Sequence, residues 1–327
     1  MDINSNHALP VSPIPASTPV SPPPPPSPPT TLPSPADQPA EARFTHLSSL
    51  LVEWDADAEA RFESKKTGKA LGPKTGLHRL DTALGAHLEP GLHHIHGNAG
   101  VGKTAFALQI AASCGCPCLY VTCEMRALEL LRRITARLSG TFLDRFKNGE
   151  LTPKQSSDYV QDAVRFVPSL DILDATEAPA SPSQIWGLAD TFSPKPPAPP
   201  HYLIVIDSLN SWVEGAYPGL TEYEALNMAL ADLRKIAAHL KCPILIINER
   251  NRASMKEGGL NAGAGSRKIE YGAESVWDLA REKDAKEDAN GEVDVALKIE
   301  KNRNGRIGKP MTLKFHGALQ RYKETPF

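Results

Sequence analysis

The octapeptide Gly97-Asn98-Ala99-Gly100-Val101-Gly102-Lys103-Thr104 joins three glycines to a terminal Lys-Thr pair, the pattern of a phosphate-binding loop. Glycines let successive backbone N–H groups converge on one anion, and a helix that starts at the end of the loop adds partial positive charge there. Lys103 is spaced to reach the β- and γ-phosphates of a nucleotide, and the Thr104 hydroxyl to ligate Mg²⁺. The loop also stands where this chemistry needs it, after the strand-like run Leu92–His96 and before a helical stretch from Ala105 to Ala112. ATP and Mg²⁺ are therefore the expected cofactors.

A metal-bound nucleotide needs a second acid. Asp207 ends the apolar run Tyr202-Leu-Ile-Val-Ile206, where a parallel strand would deliver it beside the loop as the other metal-side residue with Thr104. An Asp at a strand end also serves as a cap or turn residue. Hydrolysis further requires a group that positions or activates water, and Glu124 follows the strand Cys118–Cys123 at the equivalent edge. Its plainer role is helix-dipole stabilisation in a first turn, and the two roles are compatible.

The elements that must position these residues follow a strand, Gly-rich turn, helix rhythm from Thr75 onward. Runs 119–121, 203–206 and 244–247 are short, β-branched and continuous, as central strands buried on both faces must be. Thr221-Glu-Tyr-Glu224 reads as a capping box that opens a helix with Leu226, Leu230, Leu233, Ala237 and Leu240 on one face. Toward the C-terminus Val293, Val295, Leu297 and Ile299 alternate with polar or small residues. Asn304-Gly305 follows, and then Met311, Leu313 and Phe315 alternate again, predicting a hairpin with a loop longer than two residues. The expected class is α/β, a mostly parallel sheet flanked by helices with a C-terminal β-hairpin.

Fourteen of the 30 prolines precede residue 40, and the first basic residue is Arg43, so residues 1–42 read as a disordered, Pro-rich arm. The arm would serve as a tether or as a ligand for a groove-binding or loader partner. Residues 43–70 read as an amphipathic linker helix with Phe44, Leu47, Leu51, Trp54, Ala58 and Phe62 on one stripe that needs a partner, and 71–327 as the ATPase domain. A second Pro-rich stretch, 193–200, reads as a surface insertion. The 327 residues carry a formal net charge of −2, so nucleic-acid binding would need a local basic surface. No apolar run is long enough for a membrane span, and the N-terminus lacks the pattern of a signal peptide, which predicts a cytoplasmic protein. Five cysteines then read as free thiols. Cys114-Gly-Cys-Pro-Cys118 has no second ligand pair at zinc-finger spacing.

In order along the chain these motifs resemble the RecA-like ATPases, in the branch of DnaB-type helicases and RadA/Sms repair ATPases. Thr75-Gly-Leu-His-Arg-Leu-Asp81 is similar to their "TG-hydrophobic-x-x-LD" element, Cys123-Glu124-Met125 to the DnaB "LEM", Asp207-Ser208-Leu209 to the RadA "DSI", and Lys301-Asn-Arg303-Asn-Gly305 to "KxRNG". The resemblance implies a RecA-like P-loop NTPase core that hydrolyses ATP, with Glu124 as the catalytic carboxylate. It places Asn248 at a polar sensor position, and Lys301 and Arg303 where they reach the γ-phosphate of a neighbouring subunit. A ring-shaped homo-oligomer follows, expected to be a hexamer.

The same resemblance predicts single-stranded DNA as the partner, met by loops facing a central channel. Arg250, Arg252, Lys256, Arg267 and Lys268, interspersed with Gly258, Gly259, Gly263 and Gly265, form the first such loop. Residues 208–219 with Trp212 and Tyr217 form a second, where aromatic stacking would add to binding. With only the arm and one helix before the core, the chain reads as a motor core dependent on partners for loading. The expected function is a DnaB-like replicative helicase core acting on single-stranded DNA. A RadA-like repair or recombination ATPase and a KaiC-like switch that does not act on DNA stand as alternatives.

Overall fold

The computed structural model describes residues 44–194, 201–249, 272–282 and 285–325. The Pro-rich arm, most of the second Pro-rich stretch and the basic residues Arg250, Arg252, Lys256, Arg267 and Lys268 lie outside the described residues.

Strands β1 (Gly91–Gly97), β2 (Cys118–Thr122), β3 (Leu170–Asp174), β4 (Leu203–Asp207), β5 (Pro243–Ile247), β6 (Ser275–Ala280), β7 (Glu292–Asn302), β8 (Met311–His316) and β9 (Arg321–Glu324) form one sheet in the order β3-β2-β4-β5-β1-β6-β7-β8-β9. The first six run parallel to one another, and β7, β8 and β9 continue the sheet from β6 in antiparallel pairs. Every residue of β2, β4 and β5 is buried, which is why these strands read as unbroken apolar runs. β7 buries alternate residues from Val293 to Ile299, as the predicted hairpin requires, and the loop to β8 spans 303–310.

Helices cover both faces. On one side α3 (Lys103–Ala111) and α4 (Ala127–Ser139) share an apolar core with the inner face of the antiparallel strands. On the other, α6 (Pro182–Phe192), α7 (Leu209–Ala216) and α8 (Glu222–Leu240) enclose a second core. This is the helix-flanked, mostly parallel sheet expected from the sequence. Local sequence chemistry sets the helix starts: Thr221 and Glu224 close the predicted capping box, and Thr152 with Gln155 makes another before α5 (Pro153–Phe166), whose N1 proline lacks the N–H that position leaves unused. A short helix α2 (His78–Ala83) follows Thr75, whose N–H and hydroxyl donate to the Asp81 carboxylate at 2.7 and 2.8 Å.

Before the core, a 3₁₀ turn (Leu47–Leu50) leads into α1 (Leu51–Thr67). Phe44 precedes the turn, so the helical stripe is shorter than its sequence period suggests. No residue of α1 is buried, and Trp54 and Phe62 are 72% and 67% exposed. An ion pair, Arg61 with Glu89 at 3.3 Å, ties the helix to the core.

The segment 208–219 is not an aromatic loop. It folds into α7, where Trp212 is buried and donates from Nε1 to the Ala180 carbonyl at 2.7 Å, while the Tyr217 hydroxyl donates to Asp232 at 2.9 Å. Both rings meet edge to face inside the second core, leaving no free face for a base. The aromatic pair marks packing rather than stacking.

Candidate nucleotide-binding site

The carboxyl ends of β1, β5, β4 and β2 align side by side through their pairing register, so Gly97, Asp207 and Thr122 finish at one edge of the sheet. This is the edge where open α/β sheets bind ligands. A cavity of about 330 Å³ opens there, with the phosphate-loop residues Ala99, Gly100, Gly102, Lys103 and Thr104 on one wall and Glu124, Asp207, Ser208 and Glu249 on another.

The loop's backbone is specified by close approach. Gly102 has φ +96°, and a Cβ there would lie 2.6 Å from the Tyr322 hydroxyl. A Cβ on Gly97 would lie 2.7 Å from the Leu279 carbonyl oxygen. Val101 fills the inner side of the loop, and its carbonyl accepts from the Tyr322 hydroxyl at 2.7 Å. Tyr322 in turn stacks on Phe315 and meets Phe106 of α3 edge to face, so the C-terminal strands brace the loop from below.

The first turn of α3 has no side-chain cap, which leaves its N–H groups directed at the cavity. Lys103 is buried, and its ammonium donates to the carbonyls of Gly97 at 2.9 Å and Asn98 at 3.1 Å. Burial lowers its pKa, while the charges of Glu249, Asp207 and Glu124 act to raise it. An uncapped helix start and a buried ammonium on one wall, facing carboxylates on the other, fit a metal-bound polyphosphate.

Asp207 is buried, and its carboxylate accepts from the Tyr120 hydroxyl at 2.7 Å and from Thr104. Burial pushes its pKa up to about 6 against these hydrogen bonds, a strain that a bound cation would relieve. The Cys123 N–H donates to the Asp207 carbonyl at 2.7 Å, which sets Glu124 immediately beside this acid. Glu124 Oε1 accepts from the hydroxyls of Ser208 at 2.5 Å and Ser211 at 2.8 Å. Sequence reasoning located Glu124 but missed the two serines that orient it.

Asn248 does not reach the cavity. The period-two alternation that turns Ile247 and Glu249 toward the phosphate loop turns Asn248 to the other face. There it is buried, with Nδ2 2.9 Å from His94 Nδ1. The polar residue at this strand end that faces the loop is Glu249, one position later than the sequence suggested. Arg133 of α4, bonded to Gln320, also lines the cavity and had no local signature; only the fold brings it there.

The burial of His94 and His93 has a measurable consequence. Burial holds His94 well below its ordinary pKa and lowers His93 as well, so both fold in the neutral form. Their contribution is complete above the unfolded value near 6.5 and is lost as pH falls toward the depressed folded values. Stability should decline below about pH 6.5 by up to about 1.4 kcal/mol per pH unit for each histidine. His94→Gln should flatten that slope by one proton's share in urea unfolding at pH 7 and pH 5. An unchanged slope would rule His94 out as its source.

Lys301 and Arg303 are not at this cavity. Lys301 pairs with Val276, which pairs with His94, three residues before Gly97 and two strands away. At about 3.3 Å per residue and about 4.8 Å per strand, this sets Lys301 well outside the reach of its own phosphate loop. Arg303 bonds to Glu274 at 3.0 Å, and the Asn302 amide anchors the turn on the Ala83 carbonyl at 2.8 Å.

The sequence profile of the DnaB-like helicase C terminal domain matches residues 72–324, nearly all of the chain after α1. The chain belongs to this family. It is 26% identical over 298 residues to the replicative DNA helicase DnaB of Treponema pallidum (strain Nichols), an alignment covering 86% of this chain and 62% of that protein. The chain thus spans less than two thirds of its relative. A solved ATPase domain superposes with a TM-score of 0.71 at 19% identity, over 87% of this chain and all of the other. A DnaB-like replicative helicase, described with its interactions with primase, gives 0.67 at 19% identity, over 87% of this chain and 68% of that one. For this family member, no helix among the described residues is long and apolar enough to cross a membrane.

Proposed function

We propose that this chain is the ATP-hydrolysing motor of a replicative DNA helicase, working as a ring on single-stranded DNA. The observation that carries the reading is the split of the machinery. Lys103, Thr104, Asp207 and Glu124 converge on one cavity, while Lys301, near the end of β7, and Arg303, in the turn that follows it, stand apart from that cavity. A closed ring, with a hexamer as its expected size, completes each site with a neighbour's Lys301 and Arg303.

Lys103 and the N–H groups of residues 97–104 would hold the phosphates, and Thr104 and Asp207 the magnesium side. When bound, Mg²⁺-ATP supplies the phosphoryl group that water accepts and a cation that neutralises its oxygens. Glu124, oriented by Ser208 and Ser211, takes the proton of the attacking water. Glu249 faces the same phosphates one residue before the basic, Gly-rich segment. We take this adjacency in sequence as the route by which a change of charge at the cavity reaches the proposed DNA contacts at Arg250, Arg252, Lys256, Arg267 and Lys268. The Pro-rich arm is proposed as a site for a loader or other groove-bearing partner.

The family match favours this reading over a RadA-like repair ATPase and a KaiC-like switch. The deciding experiment is steady-state ATP hydrolysis with and without single-stranded DNA, at concentrations that permit assembly, with Lys103→Ala as the control. DNA stimulation that disappears in the variant supports the motor. Hydrolysis lost in the variant but indifferent to DNA and RNA rejects it in favour of the switch.

A further inference from the structure

Four of the five cysteines lie at the end of the sheet opposite the phosphate cavity. Cys114 and Cys116 occupy the turn from α3 to β2, Cys118 begins β2, and Cys242 precedes β5. The sequence motif Cys114-Gly-Cys-Pro-Cys118 has no part in the nucleotide chemistry.

Within that turn the two thiols face one another. Cys116 Sγ donates to Cys114 Sγ at 3.7 Å, and Cys114 Sγ lies 3.2 Å from the Cys116 carbonyl and 3.3 Å from that of Ala111. Gly115 makes the approach available, since its φ of +77° is a conformation that other residues seldom adopt. A disulfide bond of about 2.05 Å would require the sulfurs to close by about 1.7 Å, within reach of side-chain rotation about such a turn. Hydrogen bonds from Cys116 and Cys118 hold the Cys114 thiol well below its ordinary pKa, and the bond to Cys114 pushes Cys116 up. Once one proton has left the pair, the other is shared between the two sulfurs.

Access differs sharply between them. Cys114 is 4% exposed, packed under the end of α3. Cys116 is half-buried and lines a surface cavity of about 260 Å³ together with Pro117, Phe166, Val167 and Ser169. A reagent entering that cavity meets Cys116 first and finds Cys114 directly behind it.

We propose that Cys114 and Cys116 form a reversible dithiol–disulfide site that exchanges with low-molecular-weight disulfides through the cavity beside Cys116. The shared proton passes from Cys116 to Cys114, and the Cys116 thiolate attacks one sulfur of the small disulfide. The disulfide's own S–S bond breaks, and its first half leaves as a thiolate that takes up the proton from Cys114. Cys114, again a thiolate, attacks Cys116 Sγ. The protein disulfide forms, the mixed disulfide breaks, and the second half leaves as a thiolate. Two cysteines are oxidised, one small disulfide is reduced, and no other reactant is needed. The site is independent of the helicase reading, because it is remote from every residue assigned to hydrolysis.

The test uses the full chain, reduced, freed of reductant and exposed to oxidised glutathione, then acid-quenched, alkylated under denaturing conditions and mapped by mass spectrometry. The expected result is the loss of two free thiols per chain, both in one peptide as a Cys114–Cys116 bond, with dithiothreitol restoring them. In Cys114→Ser, the reaction should stop at a stable glutathione adduct on Cys116. Thiols that stay free in the folded chain but react in the urea-unfolded chain would overturn the proposal. So would oxidation of Cys118, Cys123 or Cys242 at the same rate as the pair. The wild-type map decides between these outcomes even if the serine variant fails to fold.

Discussion

Glu124→Gln should lower ATP turnover by about 10²–10⁴-fold, the usual contribution of a positioned general base, while Mg²⁺-ATP still binds. The amide keeps the size of the carboxylate and still accepts from Ser208 and Ser211 through its oxygen, so the local structure has no reason to change. What disappears is the capacity to take a proton from water. The effect belongs to kcat rather than to ground-state binding, and single-turnover hydrolysis beside equilibrium nucleotide binding separates the two. A variant that binds and hydrolyses like the parent would remove Glu124 from the reaction. Loss of binding and turnover together would instead give it a structural or metal-side role.

Arg303→Ala should cost about 10³–10⁵-fold in turnover if its guanidinium stabilises charge on a neighbour's transferring phosphoryl group. In the single chain Arg303 pairs with Glu274 at 3.0 Å, with the arginine side chain half exposed. Exposed ion pairs contribute only about 0–1 kcal/mol, so exchange of this partner for a phosphate on assembly carries little penalty. The decisive form of the experiment mixes Arg303→Ala chains with Lys103→Ala chains. Each is inactive alone. In a mixed ring, the intact phosphate loop of the first faces the intact arginine of the second, and activity should return. A mixture as inactive as its components would sink the shared-site reading, whereas single-chain activity in Arg303→Ala near the parent's would show that the arginine acts nowhere.

The glycine-rich loop and the strand that ends at Asp207 were legible because their signals are local. A Gly-rich turn between a strand and a helix needs no distant contact to be recognised, and buried parallel strands announce themselves as continuous apolar runs. The capping box at Thr221 and the alternation of β7 are equally local. Two expectations failed, each for its own physical reason. Trp212 and Tyr217 were read as loop aromatics because a short helix buried on one side has too few turns to show its period, and their partners Ala180 and Asp232 come from other segments. Asn248 was read as the sensor because the end of a strand is uncertain by a residue or two, and a shift of one residue reverses the face of the side chain. β3 and β9 escaped for a related reason. The first is an edge strand that buries little, and the second is short.

By itself, then, the sequence determined the class of the fold, the glycine-rich loop between its strand and helix, the position of Asp207 at a strand end and the family to which the chain belongs. These depend on residue types at fixed short spacings, which backbone geometry converts directly into place. The tertiary structure alone decided that Ser208 and Ser211 orient Glu124 and that Glu249, not Asn248, lines the cavity. It also decided that Tyr322 braces Val101 across 221 residues, and that Lys301 and Arg303 lie beyond their own site. Each of these is a contact or a distance between segments remote in the chain. Strand order and register set it, and neither is written in any one stretch of residues.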